Sequence, residues 1–236
     1  MDDSTLTVGG LPPIPLERAA SWVKAYFDAE RNTVDPKPYA YPAYDRLDTG
    51  SGPDRLGDGD LLAPTLLNAA PSIVAFYSLQ AIRPRLEEAL GAVPVDLSLC
   101  DAVDTGRHRR LLSGLFDVLD RPGGVRGVRL TTLSKVLHRK RPGFVPLYDR
   151  MVWRCYVGPG GPMRPEPERT WAEFVGVLAE HISDDIKNQR PQWERLRAAA
   201  PAGVSPLRLL DVVVWTAAKT AARPWVAQGP HPLPQP

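Results

Sequence analysis

At 236 residues, with 43% hydrophobic and 24% charged side chains, the chain has the composition of an ordinary globular protein and can bury a sizeable core. Its net charge of +2 is too small for a global field that would draw it onto nucleic acid or anionic lipid, so polyanion binding would rest on local clusters. Cys100 and Cys155 are its two cysteines and form no CxxC pair, which excludes a disulfide framework, a thiolate zinc site and a four-cysteine iron–sulfur cluster. No apolar run approaches the ~20 residues needed to cross a bilayer, and the Met-Asp-Asp start lacks the basic and apolar regions of a secretory signal. The expectation is a cytoplasmic monomer with no membrane partner.

Residues 1–13 are polar, carry Gly and Pro, and read as a flexible N-terminus. From Pro15, Leu16, Ala19, Ala20, Trp22, Val23 and Phe27 recur at helical spacing. Residues 33–60 are rich in Pro, Gly, Asp and Tyr and read as a long loop. Its tyrosines (Tyr39, Tyr41, Tyr44) favour an ordered loop that packs on something. Tyr44, Asp45 and Asp48 form a candidate polar site there. Segments 61–67 and 72–90 read as helices, with Pro84 expected to kink or split the second. Val95 to Leu99 reads as a short extended connection.

Residues 107–120 form an amphipathic helix whose first turn, Arg107-His108-Arg109-Arg110, carries positive charge where the helix dipole disfavours it. Thr170 and Glu173 make a capping box for the next long helix. Ser205-Pro206 opens a final helix that is apolar nearly all round and therefore central. Within it, Asp211 reads as a buried, hydrogen-bonded carboxylate. His181 and Asp185 supply only two potential ligands, so no metal and no cofactor is expected. The tail 228–236 is proline-rich and reads as disordered. The fold class is all-α: a compact helical domain over 14–227, either single or made of two merged lobes, 14–100 and 101–227.

Chemistry concentrates in residues 127–154. There a glycine turn at Gly127, a short helix, the basic run His138-Arg139-Lys140-Arg141, a proline-punctuated loop and Asp149 follow in order, with Asp149 placed 18 residues after Thr131. This stretch resembles the helix-hairpin-helix DNA glycosylase superfamily, the endonuclease-III-like base-excision enzymes. Gly127-Val128 stands for the start of the hairpin, Thr131 falls where bifunctional members carry a nucleophilic lysine, and Asp149 falls at the family's catalytic aspartate. Over more of the chain, the sequence is also similar to an uncharacterised bacterial domain family with the same Lys-Arg-Pro…Pro-x-Tyr-Asp signature, a likeness that names no activity.

The first resemblance implies a helix-hairpin-helix core and monofunctional hydrolysis of an N-glycosidic bond on a base flipped out of DNA. Asp149 would be the carboxylate that stabilises the developing positive charge. Thr131, Tyr44, Tyr148 and Trp153 would line the pocket. Gly127, Arg129, Lys135, His138, Arg139, Lys140 and Arg141 would contact nucleic acid. Threonine at 131 cannot form a Schiff base, so no lyase activity is expected. Arg129 stands where the hairpin's second glycine would be. Plainer readings stay open beside these. Asp149 preceding a helix has the position of an N-cap, and the basic run ends a helix, where cations suit the dipole. A non-catalytic nucleic-acid-binding module and a small-molecule or protein-interaction domain are the alternative functions.

Overall fold

The computed structural model describes residues 4–34, 42–122 and 124–220. Among these residues the chain is almost wholly helical, with a single two-stranded ribbon.

The ribbon lies in the segment expected to be flexible. Strand β1 (Thr5–Leu6) pairs antiparallel with β2 (Ile14–Pro15), with Leu6 opposite Ile14. Leu6 and Val8 are fully buried. Distant groups hold the backbone: Thr7 N–H donates to Gln189 Oε1 at 2.7 Å, Gly9 N–H to Asp185 Oδ2 at 2.8 Å, and Gly10 N–H to the Cys155 carbonyl at 2.8 Å. Two apolar residues set no readable period, and their partners lie far along the chain, so nothing local announced this order. The Gly9-Gly10 pair has a steric reason. A Cβ at Gly10 would sit 2.6 Å from Gly160 C, and one at Gly9 would sit 2.7 Å from Cys155 Sγ.

Helix α1 (Leu16–Tyr26) buries Leu16, Ala19, Val23 and Tyr26, one stripe at helical spacing. The long loop expected over 33–60 is broken by short helices: α2 (Ala29–Val34), α3 (Pro42–Arg46) and α4 (Asp58–Leu62), followed by a 3-10 turn, Ala63–Leu67. Tyr44 is buried within α3, whereas Tyr39 and Tyr41 lie outside the described residues. Helix α5 (Ile73–Gly91) is capped by Ser72 and continues through Pro84 unsplit. The stretch expected to be extended instead leads into α6 (Leu99–Asp104), whose first turn Ser98 caps by accepting the Asp101 N–H at 3.1 Å.

Helix α7 (His108–Phe116) packs along α10 (Trp171–Asn188), which carries the expected Thr170–Glu173 capping box. This packing accounts for the basic first turn of α7. His108 Nε2 lies 2.7 Å from Glu180 of α10, and Arg109 forks onto the same carboxylate at 2.7 and 2.9 Å. The tertiary partner offsets the unfavourable dipole term.

Helices α8 (Leu130–His138) and α9 (Arg150–Tyr156) occupy the middle of the chain, and α11 (Arg190–Ala198) and α12 (Pro206–Thr220) close it. Helix α1 packs on α11 and α12, and α12 also packs on α9, so the first and last described helices meet. Buried residues from Leu6 to Val214 form one continuous hydrophobic cluster. The tail 228–236 lies outside the described residues, among which no helix is long and apolar enough to cross a membrane.

Candidate functional site

The turn before α8 needs its glycine. Gly127 has φ +76°, and a Cβ there would stand 3.2 Å from the Ala75 backbone nitrogen of α5. Arg129, by contrast, is extended at φ −119°, which any residue adopts, so an arginine in place of a second glycine costs no backbone strain. Its side chain is exposed.

One turn into α8, side chains tie that helix to the start of α9. Ser134 Oγ donates to the Thr131 carbonyl at 3.3 Å and accepts the Tyr148 N–H at 3.2 Å. Lys135 Nζ donates to the Tyr148 carbonyl at 3.0 Å. The next residue, Asp149, is the N-cap of α9. Its Oδ1 accepts the Met151 N–H at 2.7 Å and the Val152 N–H at 3.0 Å, while Oδ2 accepts no hydrogen bond among the described residues. Asp149 is half-buried. Burial pushes the Lys135 ammonium below its usual pKa, against the pull of the Asp149 and Asp211 carboxylates. The Tyr148 ring meets Phe174 and Trp171 edge-on at 5.5 and 6.4 Å. Trp153, one turn into α9, packs half-buried on the core.

Behind this corner runs a buried polar network. Tyr44 of α3 donates its hydroxyl to the Lys135 carbonyl at 2.5 Å. Beside it lies Arg208 of α12, 1% exposed. Arg208 forks onto Asp45 at 2.8 and 3.0 Å, reaches Asp211 at 2.5 Å and donates to the Tyr26 hydroxyl at 2.9 Å. Burial raises Asp211 to about 6 despite Arg208, and raises Tyr26 to about 12. Sequence reading placed Asp211 in a buried hydrogen bond and Asp45 in a polar site; Asp211 is hydrogen-bonded but only partly buried, and Asp45 joins the polar network. Arg208 it missed. The available signal was an arginine inside an apolar helix, three residues before an aspartate.

The basic run behaves differently from the expectation that it holds phosphates. His138 Nδ1 lies 2.7 Å from the Val145 carbonyl, and burial lowers its pKa to about 4, leaving the ring neutral. Arg139 donates to the Tyr44 and Leu47 carbonyls at 2.6 and 2.5 Å. Lys140 pairs with the fully buried Asp60 at 3.0 Å and donates to Ser51 Oγ at 2.9 Å. Arg141 places all five of its N–H groups, on the carbonyls of Leu90, Val93, Pro53 and Lys140 and on the Asp54 carboxylate. His138, Lys140, Arg141 and Lys135 are therefore internal groups, and the phosphate role is corrected for them. The irregular segment 47–54 takes the donors of Lys140 and Arg141, while His138 and Lys135 are spent on the Val145 and Tyr148 carbonyls of the loop before α9.

A cleft of about 320 Å³ opens between α3, the end of α8 and residues 201–205. It is lined by Phe27, Pro42, Tyr44, Asp45, Arg46, His138, Arg139, Pro142, Pro201, Ala202, Gly203, Val204, Ser205 and Arg208. Of the expected pocket residues only Tyr44 lines it; Thr131, Tyr148 and Trp153 belong to the α8–α9 corner.

Fold and site together define an all-helical domain with a charged interior network and an aspartate-capped corner. The chain belongs to the family of unknown function DUF6308, whose sequence model matches residues 19–218. No curated protein and no solved structure matches it. The signature seen in the sequence now divides physically: Lys140 and Arg141 clamp the 51–54 segment, and Tyr148-Asp149 forms the corner.

Proposed function

We propose that this protein is a monofunctional, glycosylase-like hydrolase acting on a base extruded from nucleic acid, with Asp149 as its carboxylate. The observation that carries the reading is the asymmetry of that carboxylate. Oδ1 is pinned by two N–H groups at the start of α9, while Oδ2 accepts no hydrogen bond among the described residues. A carboxylate oriented in this way stabilises the positive charge that grows on the sugar as the glycosidic bond breaks, and it orients the attacking water.

Phosphate contacts fall to exposed guanidiniums rather than to the 138–141 run: Arg126 and Arg129 before α8, and Arg150 beside Asp149. The half-buried Trp171 and Phe174, packed edge-on against the buried Tyr148, offer aromatic surface next to the corner. Lys135 is buried and donates to a carbonyl, so it does not replace the lysine missing at Thr131, in keeping with hydrolysis without strand cleavage.

The test is base release from duplexes carrying deaminated, oxidised or alkylated bases. Asp149→Asn should lower release by about 100-fold or more. Because asparagine caps a helix nearly as well as aspartate, the variant should stay within about 1 kcal/mol of the wild type in stability. Base release unchanged in Asp149→Asn would remove Asp149 from the mechanism, and no release from any of these duplexes would remove the reading. The same exposed arginines support a second reading, a non-catalytic nucleic-acid module. It predicts binding that weakens steeply with salt and survives Asp149→Asn.

A further inference from the structure

We propose that the cleft between α3, the end of α8 and residues 201–205 binds a small oxyanion that brings its own hydrogen-bond donor, as hydrogen phosphate or an α-hydroxy carboxylate does. The site is separate from the Asp149 corner and does not depend on the function proposed for it.

The decisive group is His138, which lines the cleft and is only 2% exposed. Its Nδ1 proton is directed to the Val145 carbonyl at 2.7 Å, which fixes the tautomer and turns Nε2 into a lone-pair acceptor. Nε2 has no partner among the described residues. With the ring held neutral by burial, it cannot act as a second cation. Nε2 is not sealed from solvent but is reached from the cleft that His138 lines, where a ligand's O–H or N–H can donate to it.

The surrounding charge selects the rest of the ligand. Arg46 on the rim is exposed and makes no ion pair or hydrogen bond among the described residues. Ser205 Oγ accepts the Arg208 N–H at 3.1 Å, which leaves its own proton to donate. Helix α12 starts just beyond it, with the positive end of its dipole at the cleft. The carboxylate facing the cleft, Asp45, is forked by Arg208, which it shares with Asp211, and the Arg139 guanidinium also lines the cleft. A guanidinium, a hydroxyl and a helix amino end on one side, with an obligate acceptor on the other, fit an anion that carries a proton.

Two pairs of probes separate the anion from its donor. Hydrogen phosphate carries an O–H at neutral pH and sulfate does not; glycolate carries one and acetate does not. Calorimetric or NMR titration of the full chain at pH 7 and low salt should show each donor-bearing probe binding about tenfold more tightly than its partner. Which pair binds better then tells phosphate-type from carboxylate-type ligands. His138→Phe should bring each ratio close to one. Arg46→Gln alters only an exposed side chain; it should weaken all four probes several-fold and keep the ratios. Equal binding within both pairs by the wild-type protein, or no binding of any probe, overturns the proposal, whether or not His138→Phe folds.

Discussion

Arg208→Met is the sharpest test of the interior network. Arg208 is 1% exposed and makes four hydrogen bonds, three of them to carboxylates. Methionine fills much of the same volume, so the loss is electrostatic rather than a cavity. Asp45 and Asp211 keep only limited access to water, their side chains being 19% and 14% exposed, and Asp211 also lies among apolar neighbours on α12. Removing one partner of a buried pair costs about 3–5 kcal/mol, against a total of about 5–15 kcal/mol for a domain. With a urea slope of about 2 kcal/mol per molar, the midpoint should fall by roughly 2 M. The drop should be smaller at pH 5 than at pH 8, because Asp211, already raised to about 6 with Arg208 present, rises further and takes a proton once the guanidinium is gone. Arg55→Met is the matched control, since its pair with Glu87 is 76% exposed on the arginine side and should be worth at most about 1 kcal/mol. Replacing Arg208 and Asp211 together by Met and Leu should be milder than Arg208→Met alone. Equal losses in Arg208→Met and Arg55→Met would refute the reasoning.

Two further outcomes follow from the same structure. Because the folded pKa of Asp211 lies above its unfolded value, its contribution is fully present below about pH 4 and is lost as pH rises through about 6. Asp211→Asn should therefore flatten the fall of stability between pH 4 and 7, read as urea midpoints across that range; an unchanged slope would rule Asp211 out. Gly10→Ala should cost about 1–3 kcal/mol, since its Cβ would press on backbone at 2.6 Å and lift the N-terminal ribbon. A thermal melt within 1 °C of the wild type would show that the close approach does not matter.

Much of the helical skeleton was legible locally. The Thr170–Glu173 box, the Ser205-Pro206 start and the apolar periodicity of α1, α7 and α12 depend on residues within one or two turns of each other. The N-terminal ribbon, α6 and the short helices of residues 33–60 were missed, because short elements carry too few residues to set a period and take their order from distant partners. At the candidate site, the sequence placed Asp149 before a helix and Gly127 at a turn on spacing and residue type alone. The destination of each charge was beyond its reach. His138-Arg139-Lys140-Arg141 has the same sequence whether it faces a phosphate or a loop carbonyl, and His108-Arg109 the same sequence whether solvated or paired with Glu180. Composition, capping and periodicity determined an all-helical protein, because those effects are local. Only the tertiary structure decided that the basic run points inward, that Arg208 joins Asp45 to Asp211, and that His138 keeps a free acceptor in a cleft. Whether a charge is solvated or paired depends on groups up to 163 residues away in the chain.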